Sequence, residues 1–124
     1  SHFFCVQPPF PSIKCEAAFQ LAVYQPDKTF DVLSEKGCMN YWGLMLTGDE
    51  RAVSLFIDHF NEYDRKYKRK NLLAMPDKKF ALGGFYLINS KKALPFLKEQ
   101  LGNPRNKSIV PDIQKVIIRL EAGP

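Results

Sequence analysis

The chain is 124 residues long, 45% hydrophobic, 13% aromatic and 25% charged, and carries a formal net charge of +5. This is the size and balance of one globular domain, and it excludes a disordered chain, which combines low hydrophobicity with high charge. No apolar run approaches the roughly 18 residues of a membrane span, so a transmembrane helix is excluded as well.

Residues 1–14 read as an extended arm. Pro8, Pro9 and Pro11 oppose helix and favour polyproline geometry, while Phe3, Phe4 and Phe10 call for a surface to lie on. Residues 15–124 read as a single α+β domain. Within it, 18–24 and 29–35 have strand-like aromatic and β-branched content, and Pro26 and Asp27 between them carry turn chemistry, so a hairpin is expected. Gly37 then turns the chain into a third strand over 38–46, with Trp42 as its anchor in the core.

A helix over 49–69 follows. Thr47 and Glu50 stand at capping-box spacing, and Val53, Phe56, Phe60 and Tyr63 recur at three- and four-residue steps, facing the sheet. Residues 75–78 read as a turn and 80–88 as a strand. Gly83 and Gly84 mark a bulge or a close backbone approach in that strand. A second helix spans 90–101, with Pro95 moving its regular part to about Ala93. A loop over 103–108 follows, and residues 110–120 suit either a helix started by Pro111 and Asp112 or an edge strand over 115–121, the strand being preferred.

A shift of 41 residues lays 43–56 on 84–97, matching Gly43 with Gly84, Leu46 with Leu87 and Ala52 with Ala93. Two β-α units in succession, after a hairpin and before a last strand, imply a mixed sheet with both helices on one face. A ferredoxin-like sandwich is the nearest common plan.

Cys5, Cys15 and Cys38 are odd in number and lack C-x-x-C spacing, and His2 and His59 are not at ligand spacing. Three reduced thiols, no metal site and an intracellular, cytoplasmic location are therefore expected. A Cys5–Cys15 bridge closing the arm is the alternative.

Charge is distributed unevenly. Residues 1–64 hold four basic and nine acidic side chains, 65–107 hold twelve and two, and 108–124 balance. Such asymmetry points to an anionic partner for the basic part, either nucleic acid or an acidic protein surface. The candidate contacts are Arg65, Lys66, Tyr67, Lys68, Arg69 and Lys70, then Lys78 and Lys79, and finally Arg105 and Lys107. Here cations would meet phosphates and Tyr67 would offer a stacking surface. Ser90, Lys91 and Lys92, at the start of the second helix, form a candidate anion site, because free amides gather at a helix N-terminus.

No catalytic set or cofactor motif emerges. Nothing in the spacing joins Cys38 to His59, and phosphate-loop, nucleophile-elbow and zinc-protease motifs are all missing. The expected function is thus a non-catalytic binding module that engages nucleic acid through 65–107. The alternatives are a protein–protein interaction, assembly or inhibitor domain using a sheet edge or the Phe/Pro arm, and a small enzyme with an unrecognised site.

Overall fold

The computed structural model describes residues 10–66 and 75–123. Among the described residues every regular element is helical and no strand forms, which overturns the expected α+β fold, its hairpin, its mixed sheet and the ferredoxin-like plan. Residues 18–24, 29–35, 38–46, 80–88 and 115–121, all expected as strands, lie wholly or largely in helices. The physical reason is proline placement. Pro26, Pro76, Pro95, Pro104 and Pro111 each occupy the first or second position of a helical segment. There the missing N–H has no partner to lose and the fixed φ suits the helix. Read as turns and breakers, the same prolines suggest short strands.

The chain falls into two compact units that divide between Thr47 and Gly48. Of the arm expected over 1–14, residues 1–9 lie outside the described residues. The first unit opens with α1 (Ile13–Leu21), whose Ser12 cap accepts the Cys15 N–H at 3.3 Å. Helix α2 (Pro26–Ser34) starts on its proline and buries Thr29, Phe30 and Leu33 along one side, a helical rather than an alternating pattern. Helix α3 (Tyr41–Thr47) begins where the Asn40 side chain accepts the Gly43 N–H at 2.8 Å. A Cβ at Gly43 would lie 2.7 Å from Leu33 Cδ1 and 3.3 Å from Phe19 Cδ1, so all three helices converge on a residue without a side chain. Trp42 is 53% exposed and is no core anchor.

A disulfide joins Cys15 in α1 to Cys38 just before α3, with a Cα separation of 5.3 Å. The expectation of three free thiols is therefore wrong. Spacing along the chain misled because the partners lie 23 residues apart and only the packing of α1 and α2 brings them together. Cys5 lies outside the described residues.

In the second unit α4 (Ala52–Lys66) and α5 (Met75–Ile88) pair antiparallel, with Asp64 meeting Lys78, and Phe56 meeting Phe80, Gly84 and Phe85. A 3₁₀ turn (Lys91–Ala93) leads into α6 (Leu94–Gln100), and a second (Pro104–Ile109) into α7 (Val110–Ala122). Val53, Phe56 and Phe60 are buried as expected, but against helix, not sheet. The Tyr63 side chain lies outside the described residues. Phe96 from α6 closes the aromatic core, 5.3 Å from Phe60 and 6.0 Å from Phe85 between ring centres. Ile113, Val116, Ile117 and Leu120 bury one stripe of α7.

The 41-residue correspondence survives, with helix–turn–helix replacing strand–turn–helix. Gly48 and Asn89 both take left-handed backbone, at φ 63° and 55°. Asp49 and Ser90 each accept the N–H two residues on, at 2.8 and 3.2 Å. Ala52 and Ala93 are both fully buried and bond back to Asp49 and Ser90.

Candidate functional site

Helices α5 and α7 run parallel, as Lys79 stands beside Asp112 at one end and Tyr86 beside Arg119 at the other. Between them opens a cleft of about 320 Å³. Lys79, Gly83 and Tyr86 on α5 follow at steps of four and three residues, which places them on one helix face. Asp112 and Lys115 on α7 do the same. The floor is apolar, formed by buried Leu82 and Val116.

The polar groups in and beside this cleft are fixed to different degrees. Lys79 and Asp112 are both about half exposed and 4.0 Å apart, a loose pair worth little in water. Arg119 is held firmly. Its Nε donates to the Tyr86 carbonyl oxygen at 2.6 Å, and its guanidinium lies 4.3 Å over the Tyr86 ring. Gly83 leaves a gap in the wall, where an added Cβ would meet no atom within 4 Å.

The cations expected to meet a partner have diverse surroundings. Lys78 is fully buried, bonded to Asp64 at 2.8 Å and to Asn106 Oδ1 at 2.6 Å, with the Phe60 ring centre 5.0 Å away. Arg105 joins the same carboxylate at 3.2 Å, and Asn106 in turn donates to Gln100 Oε1 at 2.8 Å. This network ties the end of α4 to α5 and to the α6–α7 connection, so Lys78 and Arg105 serve the fold. Arg65 is exposed and reaches the Asp58 carbonyl oxygen at 3.5 Å. Lys91 and Lys107 are exposed and carry no ion pair among the described residues. Tyr67, Lys68, Arg69 and Lys70 lie outside the described residues, as does the Lys66 side chain.

The candidate anion site at 89–92 already holds a carboxylate. Glu50 accepts from Ser90 Oγ at 2.7 Å and pairs with Lys92 Nζ at 2.9 Å. The Lys92 hydrogen bond, and after it the Ser90 one, hold Glu50 below the usual glutamate range. Asp49 is lowered likewise, chiefly by its hydrogen bond from Arg51. An external anion would have to displace Glu50 there.

Chemistry of other kinds finds few parts. Cys38 is consumed by its bridge to Cys15, and His59 packs edge-on to Phe80 at 5.7 Å. Among the described residues no three His, Cys, Asp or Glu side chains converge as metal ligands would, and no helix is long and apolar enough to cross a membrane.

An expectation of strands over 80–88 and 115–121 hides the grouping of Gly83, Tyr86, Asp112, Lys115 and Arg119. Alternation would send residues 83 and 86 to opposite faces, whereas the helical period unites them. The alternative that Pro111 and Asp112 offered, a helix start, is the one α7 adopts. No protein-family model, curated protein or solved structure matches the chain.

Proposed function

We propose that residues 48–124 act as a non-catalytic binding module for nucleic acid, attracting the phosphate backbone with little sequence preference. Residues 48–124 hold fifteen basic and nine acidic side chains, against three and four in 1–47. The supporting observation is where the surplus lies. Internal pairs occupy Arg51, Lys78, Lys79, Lys92, Lys98 and Arg105. Lys91, Lys107 and Lys115 stay exposed, with no ion pair among the described residues. Cations left to solvent by the fold are those able to release counterions from a polyanion.

The test is fluorescence anisotropy of the wild-type chain with unrelated single-stranded DNA, duplex DNA and RNA at several salt concentrations. Affinity should fall steeply with salt, and the double variant Lys91→Glu, Lys107→Glu should lower the slope of log affinity against log salt by about 1.4 to 1.8. No binding to any of the three at low salt would remove the proposal.

Unit 1 supports a second reading, a protein-binding surface. Trp42 and Leu46 stand one helical turn apart on α3, 53% and 43% exposed, and Tyr24 is 79% exposed. The sheet-edge form of that reading falls with the sheet, and the Phe/Pro arm lies largely outside the described residues. The cytoplasmic assignment loses its ground too, since the Cys15–Cys38 bridge is of a kind that persists in oxidising compartments.

A further inference from the structure

Gly83 and Gly84 are neighbours in one helix, yet only one is explained by packing. A Cβ at residue 84 would collide with the Phe56 ring, whereas at residue 83 it would enter empty space. Glycine inside a helix lowers stability relative to alanine, so an interior glycine that no neighbour requires calls for another reason. At Gly83 the empty space is the cleft between α5 and α7.

The cleft has a definite chemical character. Its volume of about 320 Å³ lies at the lower end for ligand sites, room for one ring and its substituents and too little for a longer segment. Lys79 and Lys115 outnumber Asp112 in its lining, and Arg119 stands beside it on the lining residue Tyr86, which favours an anion. Arg119 is preorganised without being used up. Nε and the ring face hold it, while its two terminal nitrogens have no bond among the described residues. A guanidinium fork fixed in this way suits the paired oxygens of a phosphate. Tyr86 supplies an aromatic wall, one face of it covered by Arg119, and Leu82 and Val116 an apolar floor.

We propose that this cleft takes one unstacked nucleotide of a bound single strand, its base against Tyr86 in the gap beside Gly83 and its phosphate on Arg119 and Lys115. The inference rests on the binding function proposed above and gives it a specific seat. Backbone attraction by Lys91 and Lys107 would hold the strand, and the cleft would discriminate single strands from duplexes, whose bases are stacked and paired.

Gly83→Leu sets a side chain at the cleft wall, its Cβ meeting nothing within 4 Å, and favours the helix, so it tests the cleft while keeping the fold. Anisotropy with a labelled oligothymidylate should show binding weakened about tenfold or more by Gly83→Leu, the size of one lost base stack, with the salt slope unchanged. Arg119→Lys preserves charge and loses the fork, and it should weaken binding as well. Thymidine monophosphate should shift the amide resonances of residues 83 and 86 in the wild type and not in Gly83→Leu. If Gly83→Leu binds the strand as tightly as wild type while Lys91→Glu, Lys107→Glu weakens it, the cleft proposal is overturned and the module stands. If no strand binds any form, the module fails and the cleft proposal with it.

Discussion

The Phe56 ring occupies the space where a side chain at residue 84 would begin: a Cβ there would lie 2.5 Å from Phe56 Cε1 and 2.6 Å from Cδ1. Phe56 is fully buried in the α4–α5 packing, with the Phe80 and Phe85 rings about it, so yielding to a new Cβ disturbs its neighbours. Gly84→Ala should therefore destabilise by about 1–3 kcal/mol, the usual cost of overpacking. Gly83→Ala should stabilise by about 0.5–1 kcal/mol, since alanine restricts the unfolded chain and meets nothing in the folded one. Denaturant midpoints of the two variants, moving in opposite directions, check both claims. A shift of the same sign in both would show that the ring is not where the packing puts it.

The bridge between Cys15 and Cys38 sets a thiol count. Titration of the denatured, unreduced chain should find one reactive group, Cys5, in place of three. Closing a loop of this length reduces unfolded-state entropy by an amount equivalent to about 3 kcal/mol. A reductant or the double variant Cys15→Ser, Cys38→Ser should lower the stability of the first unit by about that much, read from the near-ultraviolet signal of Trp42.

At Lys78 the expected asymmetry is between two ways of breaking one pair. Asp64→Ala takes the carboxylate from a fully buried ammonium and should cost about 3–5 kcal/mol. Lys78→Met replaces that ammonium by an apolar chain of similar volume and leaves Arg105 on Asp64, so it should cost clearly less. Equal losses in urea unfolding would contradict the assignment of Lys78 as the group that needs its partner.

Glu50 predicts the acid limb of stability. Its bonds from Lys92 and Ser90 lower its folded pKa, so the stabilisation is present in full above the ordinary glutamate value of about 4.3. It is lost as pH falls through the lower folded value. Glu50→Gln should weaken the fold near pH 7 and flatten its decline below about pH 4, leaving the share that Asp49 contributes through Arg51. A decline as steep as that of the wild type would place the acid sensitivity elsewhere.

How much was legible in the sequence depended on which residues carried two meanings. The α4 helix was found because Val53, Phe56 and Phe60 repeat at helical spacing and no proline interrupts them. In α2, α5 and α7 a proline opens the helix, and Pro26, Pro76 and Pro111 are each followed by an aspartate. The pair suits a β-turn as well as a first helical turn, and only packing decides. The stretch from Val116 to Leu120 is β-branched at three of its five positions, which suits a strand locally, yet Ile113, Val116, Ile117 and Leu120 bury as one helical stripe. The site followed the fold. Lys79 was found by its charge alone, whereas Tyr86, Lys115 and Arg119 become neighbours only at a period of 3.6 residues.

The enclosure of Lys78 also has a chemical use. An acylating reagent can reach an amine only when water can, and Lys79, next along the chain, has a side chain 58% exposed. Two adjacent lysines on one peptide thus offer an internal clock: residue 79 marks the reagent's intrinsic speed, and residue 78 reacts when the α4–α5 pair opens. With opening and closing fast relative to acylation, the ratio of the two modifications in a mass spectrum reports the open fraction directly, without denaturant.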